Sequence, residues 1–369
     1  MKNTLVAILT LSSIMSVRAQ DTLKNTLTIG GYIDSYYAAY NTSQSQDELL
    51  PLISTGARDN TIGVNMAQLS LNYEGDKVRS EIIFHRGDIQ QATWSDTFPY
   101  LQAANAGVKL SNDLWLDAGF FATHLGTESF LPKNNNLSSI AVLTYMEPFY
   151  QSGAKLSWQS SDNLYLEGWV LNGYNSFVDN NDSKSVGLLA SYDINESTSI
   201  TYTNLYGRES EDDLPLKQRR FYNNIYLDKN WNEQFFLTIG FDYATQTNTK
   251  IVGLIDPPET AKMFAGLITA RYQFTPEWSV TGRMEFINDE DGFITDTYET
   301  ANNTLVGLNL TGFTLGTEYR PMDGAYLRFE GRRLQASEDL EIFFDGDNRN
   351  DRLELLITLG LSVDKVFKF

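Results

Sequence analysis

The stretch that ends the chain alternates strictly. Leu353, Leu355, Ile357, Leu359, Leu361 and Val363 share one parity, and the run closes on Val366-Phe367-Lys368-Phe369. A period of two sends alternate side chains to opposite faces of a strand. Similar alternation recurs from about Leu27 onward, with no helical stretch able to cover the apolar face. A sheet with so much uncovered apolar surface is stable in lipid only when closed on itself, because lipid leaves no partner for an open edge. The pattern therefore predicts an all-β, antiparallel, up-and-down transmembrane barrel.

Sixteen strand-like segments follow one another, at 27–40, 63–74, 78–86, 103–110, 114–122, 151–159, 164–174, 184–193, 198–207, 218–230, 235–246, 262–274, 278–288, 305–320, 325–334 and 352–369. Seven connections are tight, among them Gly75-Asp76, Asn112-Asp113, Asn195-Glu196, Asn232-Glu233 and Pro321 to Gly324. They carry residues that supply the backbone angles of a reversal. Eight are long and polar: 41–62, 87–102, 123–150, 175–183, 208–217, 247–261, 289–304 and 335–351. Short and long alternate without a break. All tight turns thus fall at one end with both termini, as in outer-membrane barrels with short periplasmic turns and longer extracellular loops. About sixteen strands leave an aqueous interior that side chains alone do not fill.

Composition closes other routes. No apolar run approaches the roughly 18 residues of a membrane helix beyond the N-terminus. Tyr (20), Phe (21) and Trp (6) are plentiful, as suits interfacial girdles. Cysteine is absent, which removes disulfides and thiolate chemistry. Lys2, the apolar Leu5–Met15 and Val17-Arg18-Ala19 read as a secretory signal over 1–19, cut after Ala19, leaving a barrel over 20–369. The 28 basic and 47 acidic residues give −19; without Lys2 and Arg18 the count is 26 against 47, or −21. Such a chain is not expected to hold nucleic acid. Its acid is concentrated in the long loops, as at Asp179–Asp182 and Asp289–Asp291.

Charge inside the strands sits on the polar parity. Arg328, Glu330 and Arg332 oppose Leu327 and Phe329; Arg283 and Glu285 oppose Met284 and Phe286. A charge facing lipid would cost roughly 2–4 kcal/mol near the midplane, so these side chains are expected to face the lumen. By parity Asp34, Arg79, Glu81, His85, Arg271, Arg283, Glu285, Arg320, Arg328, Glu330 and Arg332 are candidate pore-lining or constriction residues. The five arginines come from consecutive strands, the twelfth to the fifteenth. They either form a charged wall that sets ion preference or pair off and brace the barrel. The longest loop, 123–150, holds Phe130-Leu131-Pro132 and a semi-apolar Ile140–Tyr150, poorly suited to free solvation. It is expected to fold into or over the barrel and narrow it.

Support for catalysis is thin. The two histidines are His85, on one parity with Glu81, and His124, near an outer strand end. Hydrolase and phosphate-loop motifs are missing. Asp345–Asp351 looks superficially like a calcium loop but lacks the twelfth-position Glu. No metal or other cofactor is expected.

Gly31-Tyr32-Ile33-Asp34-Ser35-Tyr36-Tyr37, Phe84-His85-Arg86-Gly87-Asp88, and Asn134–Ser139 followed by Glu147-Pro148 resemble, in this order, the putative β-barrel porin-2 (OmpL-like) family. The resemblance spans nearly the whole mature chain. It implies an outer-membrane porin-like barrel and brings Asp88 in beside Asp34 and His85 as a position of interest. It names no solute and no catalytic residue. The expectation is a Gram-negative outer-membrane porin that is not an enzyme. It would pass small hydrophilic solutes or ions with no energy coupling, its termini periplasmic. Lipid and the barrel-assembly machinery are the expected partners, with Phe369 as the assembly signal. Trimers are common at this size, but no interface is readable. The rivals are a barrel enzyme using His85 or His124, and a closed barrel acting through its acidic loops.

Overall fold

The computed structural model describes residues 25–42, 48–179, 181–210, 212, 217–232, 234–249, 260–300 and 304–369. The signal segment 1–19 and its cut lie outside the described residues. One closed antiparallel barrel of sixteen strands accounts for most of the rest. They are β1 (Thr26–Tyr40), β2 (Thr61–Glu74), β3 (Val78–Arg86), β4 (Leu101–Ser111), β5 (Leu114–Ala122), β6 (Tyr150–Ser161), β7 (Leu164–Leu171) and β8 (Ser185–Asn195). Then come β9 (Thr198–Arg208), β10 (Arg219–Trp231), β11 (Phe235–Thr247), β12 (Thr260–Gln273), β13 (Trp278–Asp289), β14 (Leu308–Met322), β15 (Ala325–Ala336) and β16 (Asp351–Lys368).

Each strand pairs with its sequence neighbours. The seam is closed by β1 on β16, in register from Thr26 opposite Lys368 to Tyr40 opposite Glu354. Closure leaves no strand edge unpaired, which lipid requires. The reversals use the expected backbone: Asp113 and Asn232 take φ of 61° and 54°, and Gly324 takes 81°. Along β16 the residues from Leu353 to Val363 on the odd parity are exposed, while Arg352, Glu354, Leu356 and Thr358 are buried. Apolar side chains thus coat the outside, and the charged parity points inward.

The strand set departs from sequence expectation in one place. Leu305–Val306 does not extend β14; it pairs with Tyr298–Glu299 in a separate ribbon. Gly307 breaks the run, its N–H turning to the Glu290 carbonyl. The connections also contain helix that strand alternation could not show. These pieces are α1 (Asp88–Thr93), a 3₁₀ turn at Pro132–Asn134, and α2 (Val142–Met146). Residues 343–349 form a small hairpin in which Arg349 bonds Asp351 at 2.9 Å and faces Asp345 at 3.5 Å. Among the described residues no cluster suited to a metal ion is present.

Candidate functional site

The longest loop, between β5 and β6, lies inside the barrel. Its ends meet where the Thr123 N–H donates to the Phe149 carbonyl at 3.2 Å. Between them, Leu125, Ala141, Val142 and Leu143 are buried in one apolar cluster with inward residues of the wall, including Leu205, Met263, Leu267 and Leu310. Phe293 and Phe343, from two other long loops, complete that cluster. Each fully buried Leu or Val side chain stabilises the seated loop by roughly 1.5–3 kcal/mol. This explains why a connection at the long-loop end of a membrane barrel carries so much apolar residue.

The inward arginines hold the loop's polar backbone. Arg328 donates to Glu318 at 2.7 Å, to the Pro132 carbonyl at 2.8 Å and to the Asn135 carbonyl at 2.6 Å. Arg283 donates to the Ser139 carbonyl at 2.6 Å and to Glu128 at 2.9 Å. Arg271 reaches Asn136 at 3.1 Å. The carboxylates work in the opposite sense. Glu330 accepts from the backbone N–H of both Ser138 and Ser139, and from the Ser139 hydroxyl at 2.7 Å. Glu285 accepts from the Val142 N–H at 2.6 Å and from Arg332 at 2.7 Å. A fork of guanidinium donors suits loop carbonyls, and a carboxylate suits free N–H groups. Irregular backbone inside a barrel is thereby satisfied.

Parity placed these groups on the inner face. There Arg283, Arg328 and Arg332 are nearly fully buried, covered by the loop rather than by water. Arg320 sits closer to the tight turns, bonded to Glu318 at 3.0 Å and partly open. Asp34 is joined to the same region by Tyr326, Tyr32 and Asn65. A bulge between Asp34 and Ser35 in the β1–β2 pairing accompanies the burial of both Asn65 and Met66. The loop reaches the other walls too: Lys133 donates to Gln68 at 2.8 Å, Asn224 to Thr127 at 3.0 Å, and Tyr174 to the Met146 carbonyl at 2.7 Å.

Four candidates, Arg79, Glu81, His85 and Asp88, stand apart from this arrangement. Arg79 pairs with Asp117 on β5 and with Ser157 at 2.9 Å. Glu81 accepts from Asn105 at 3.2 Å and makes no bond with His85. Asp88, in α1, accepts from Tyr36 at 2.5 Å and Arg58 at 3.1 Å, tying the first two long loops to the wall. His85 packs edge-on against Trp94 at 4.5 Å, and neither of its ring nitrogens has a partner. His124 stacks on Trp169 at 4.9 Å and its Nε2 donates to the Asn204 carbonyl at 2.9 Å. Burial holds His124 down at a pKa of about 4. Neither ring nitrogen pair meets a serine or a carboxylate. Phe369 is exposed on the lipid side, 6.3 Å from the Tyr73 ring, and its N–H donates to the Asn25 carbonyl at 3.1 Å.

Several partners were given no role from sequence. Glu318 and Glu354 share the inward parity of Arg320 and Arg352, so their position was readable. Glu128, Ser138, Ser139 and Glu147 lie in the loop, where no period marks a face. Glu147 is the most unusual, because its carboxyl contacts Asp242 and, at 3.4 Å, the Tyr222 hydroxyl, with no cation bonded to it. Burial pushes it well above the usual carboxylate range, and Asp242 adds to the effect.

Solved barrels resemble this fold at low sequence identity. The in-vitro folded OmpT of Vibrio cholerae, in its trimer form, superposes with a TM-score of 0.59 at 10% identity, over 92% of this chain and 100% of that one. The outer membrane channel DcaP of Acinetobacter baumannii gives 0.59 at 10%, over 92% and 99%. Salmonella typhi OmpF, in a complex with daunomycin, gives 0.56 at 12%, over 92% and 98%. No curated protein matches the chain. The family model described as putative beta-barrel porin-2, OmpL-like, matches residues 26–369, from the first barrel strand to the last residue, and the chain belongs to that family of outer-membrane porin channels.

Proposed function

We propose that small hydrophilic solutes or ions cross this barrel passively, through the part of the lumen that loop 123–149 leaves open. The observation that carries this reading is the clamp of inward Arg and Glu on the loop backbone. A sixteen-stranded barrel is wide enough for an aqueous channel, and a loop fixed across it narrows that channel. Asp34, Arg271, Arg283, Glu285, Arg320, Arg328, Glu330 and Arg332 then act as one unit that seats the constriction. Arg79, Glu81, His85 and Asp88 line or brace the wall around it. The protein needs no cofactor and performs no chemistry on what it passes. The tight-turn end, with both termini, faces the periplasm of a Gram-negative cell after a signal peptide is removed. Phe369 is read by the assembly machinery, lipid surrounds the apolar face, and the barrels associate as trimers.

Planar-bilayer recording of the mature chain tests the reading. Stable open-channel steps are expected, and deleting 128–145 should enlarge them. A deletion channel of unchanged conductance would remove the loop from the pathway. The apolar packing in the lumen gives ground to one rival, a barrel closed at its centre that acts through its acidic loops. An absence of steps from a folded protein would favour that rival.

A further inference from the structure

Three guanidinium groups converge on one carboxylate beneath the seated loop. Glu318 accepts from Arg328 at 2.7 Å, Arg320 at 3.0 Å and Arg271 at 3.1 Å. The node therefore carries three positive charges against one negative. Higher on the same wall the count differs: Arg283, Arg332 and Arg352 meet Glu128, Glu285 and Glu354, three against three, while Glu330 accepts from loop N–H groups and lies near Arg328. Beside the node Lys133 lies near Asp364, and Asp34 is held by two tyrosines and Asn65. Including those three charges and Glu330 leaves the neighbourhood balanced, so the positive excess is confined to the node itself. One observation makes the node available to a ligand, and a second leaves a donor there unsatisfied. The Arg320 side chain is 19% exposed, and the Nε of the buried Arg271 has no hydrogen-bond partner.

We propose that the Arg271–Arg320–Arg328 node on Glu318 is an anion-attracting site, so that the channel favours small inorganic or carboxylate anions over cations. This rests on the reading of the barrel as an open porin and adds its solute class. The acidic outer loops do not reverse the preference. Along β14, Arg320 lies twelve residues from Leu308 at the outer end, about 40 Å at 3.3 Å per residue. The Debye length is about 8 Å at physiological salt, so loop charge is screened from the node. The node also touches the loop segment that narrows the lumen, through Asn136 and the Pro132 and Asn135 carbonyls. A fixed charge at a narrow point weighs more in selectivity than charge at a wide mouth.

Reversal potentials of the mature protein in a KCl gradient across a planar bilayer decide the matter. The wild type should show a chloride-to-potassium permeability ratio above one, falling toward one as salt rises. Arg320→Gln should lower the ratio about tenfold, because one unit charge about 6 Å away in water-like dielectric weighs about threefold for chloride and about threefold the other way for potassium. Glu318→Gln should shift it the other way. A wild-type ratio below one, or a ratio indifferent to Arg320→Gln, overturns the proposal while the porin reading stands. A folded protein with no conductance steps overturns both. Arg320 is part-exposed, so its substitution reads selectivity even if Glu318→Gln fails to fold.

Discussion

Replacing Arg328 by Met tests the clamp at its most heavily bonded point. The wild-type side chain is about 1% exposed and reaches Glu318 and two loop carbonyls, with its guanidinium over the Tyr326 ring at 4.0 Å. Methionine keeps most of the aliphatic stem, so little cavity forms. Glu318 keeps Arg271 and Arg320, so it is not stranded as an uncompensated charge, which would cost about 3–5 kcal/mol by itself. The loss therefore falls on the loop. Two charge-assisted bonds to the carbonyls of Pro132 and Asn135 contribute about 1.5–3 kcal/mol each, so about 3–6 kcal/mol of docking is removed. Even the lower figure shifts the docked-to-undocked ratio of this segment about a hundredfold. Glu330 and Arg283 still hold Ser138 and Ser139, so only the inner turn around 132–136 should loosen. Single-channel records of the variant should show noisier openings and a higher-conductance substate. Lys133 is the sole tryptic site between 123 and 149, and cleavage there should become faster. Wild-type conductance, noise and trypsin resistance in Arg328→Met would refute the claim that this arginine seats the constriction.

Glu147 makes loop seating depend on pH. Its pKa in the folded state is raised, so the folded protein holds a proton that the unfolded chain releases. That contribution is complete below the ordinary value of about 4.5 and is lost as pH climbs through the raised one. Thermal midpoints in detergent should therefore fall with rising pH in the wild type and less steeply in Glu147→Gln; parallel profiles would count against a shared proton with Asp242. Gly126 adopts φ 103°, and a β-carbon there would collide with the Glu147 carboxylate. Gly126→Ala should thus destabilise the folded barrel by about 1–3 kcal/mol in a denaturant titration, and an unchanged midpoint would show that the loop neck relaxes freely. Deleting Phe369 removes one backbone bond and one aromatic contact, about 1–2 kcal/mol in the refolded protein. Its larger effect should be on the amount that reaches the outer membrane in cells; normal levels there would deny it a role as an assembly signal.

The barrel was legible because lipid enforces a strict rule on each strand. All sixteen segments form strands near their expected ends, since a slip by one residue would send Arg328 or Arg283 into hydrocarbon. The exception, Leu305–Val306, lies outside that constraint, ahead of β14 in a long loop, where alternation carries no such penalty. The loop was legible only in part. Val142 and Leu143 announced by their apolarity that 123–150 would not stay in water. Nothing in their spacing could say that the Val142 N–H meets Glu285, 143 residues away. Net charge and the inward charges point different ways. The −19 of the chain is held largely in the long loops, whereas Arg271, Arg320 and Arg328 gather on a single carboxylate beneath the seated loop. Charges on one strand parity are brought together by barrel closure, as Arg271, Arg320 and Arg328 are on Glu318. What the barrel passes should therefore follow its inward-facing residues in the order the strands assemble them, rather than the sum over the sequence.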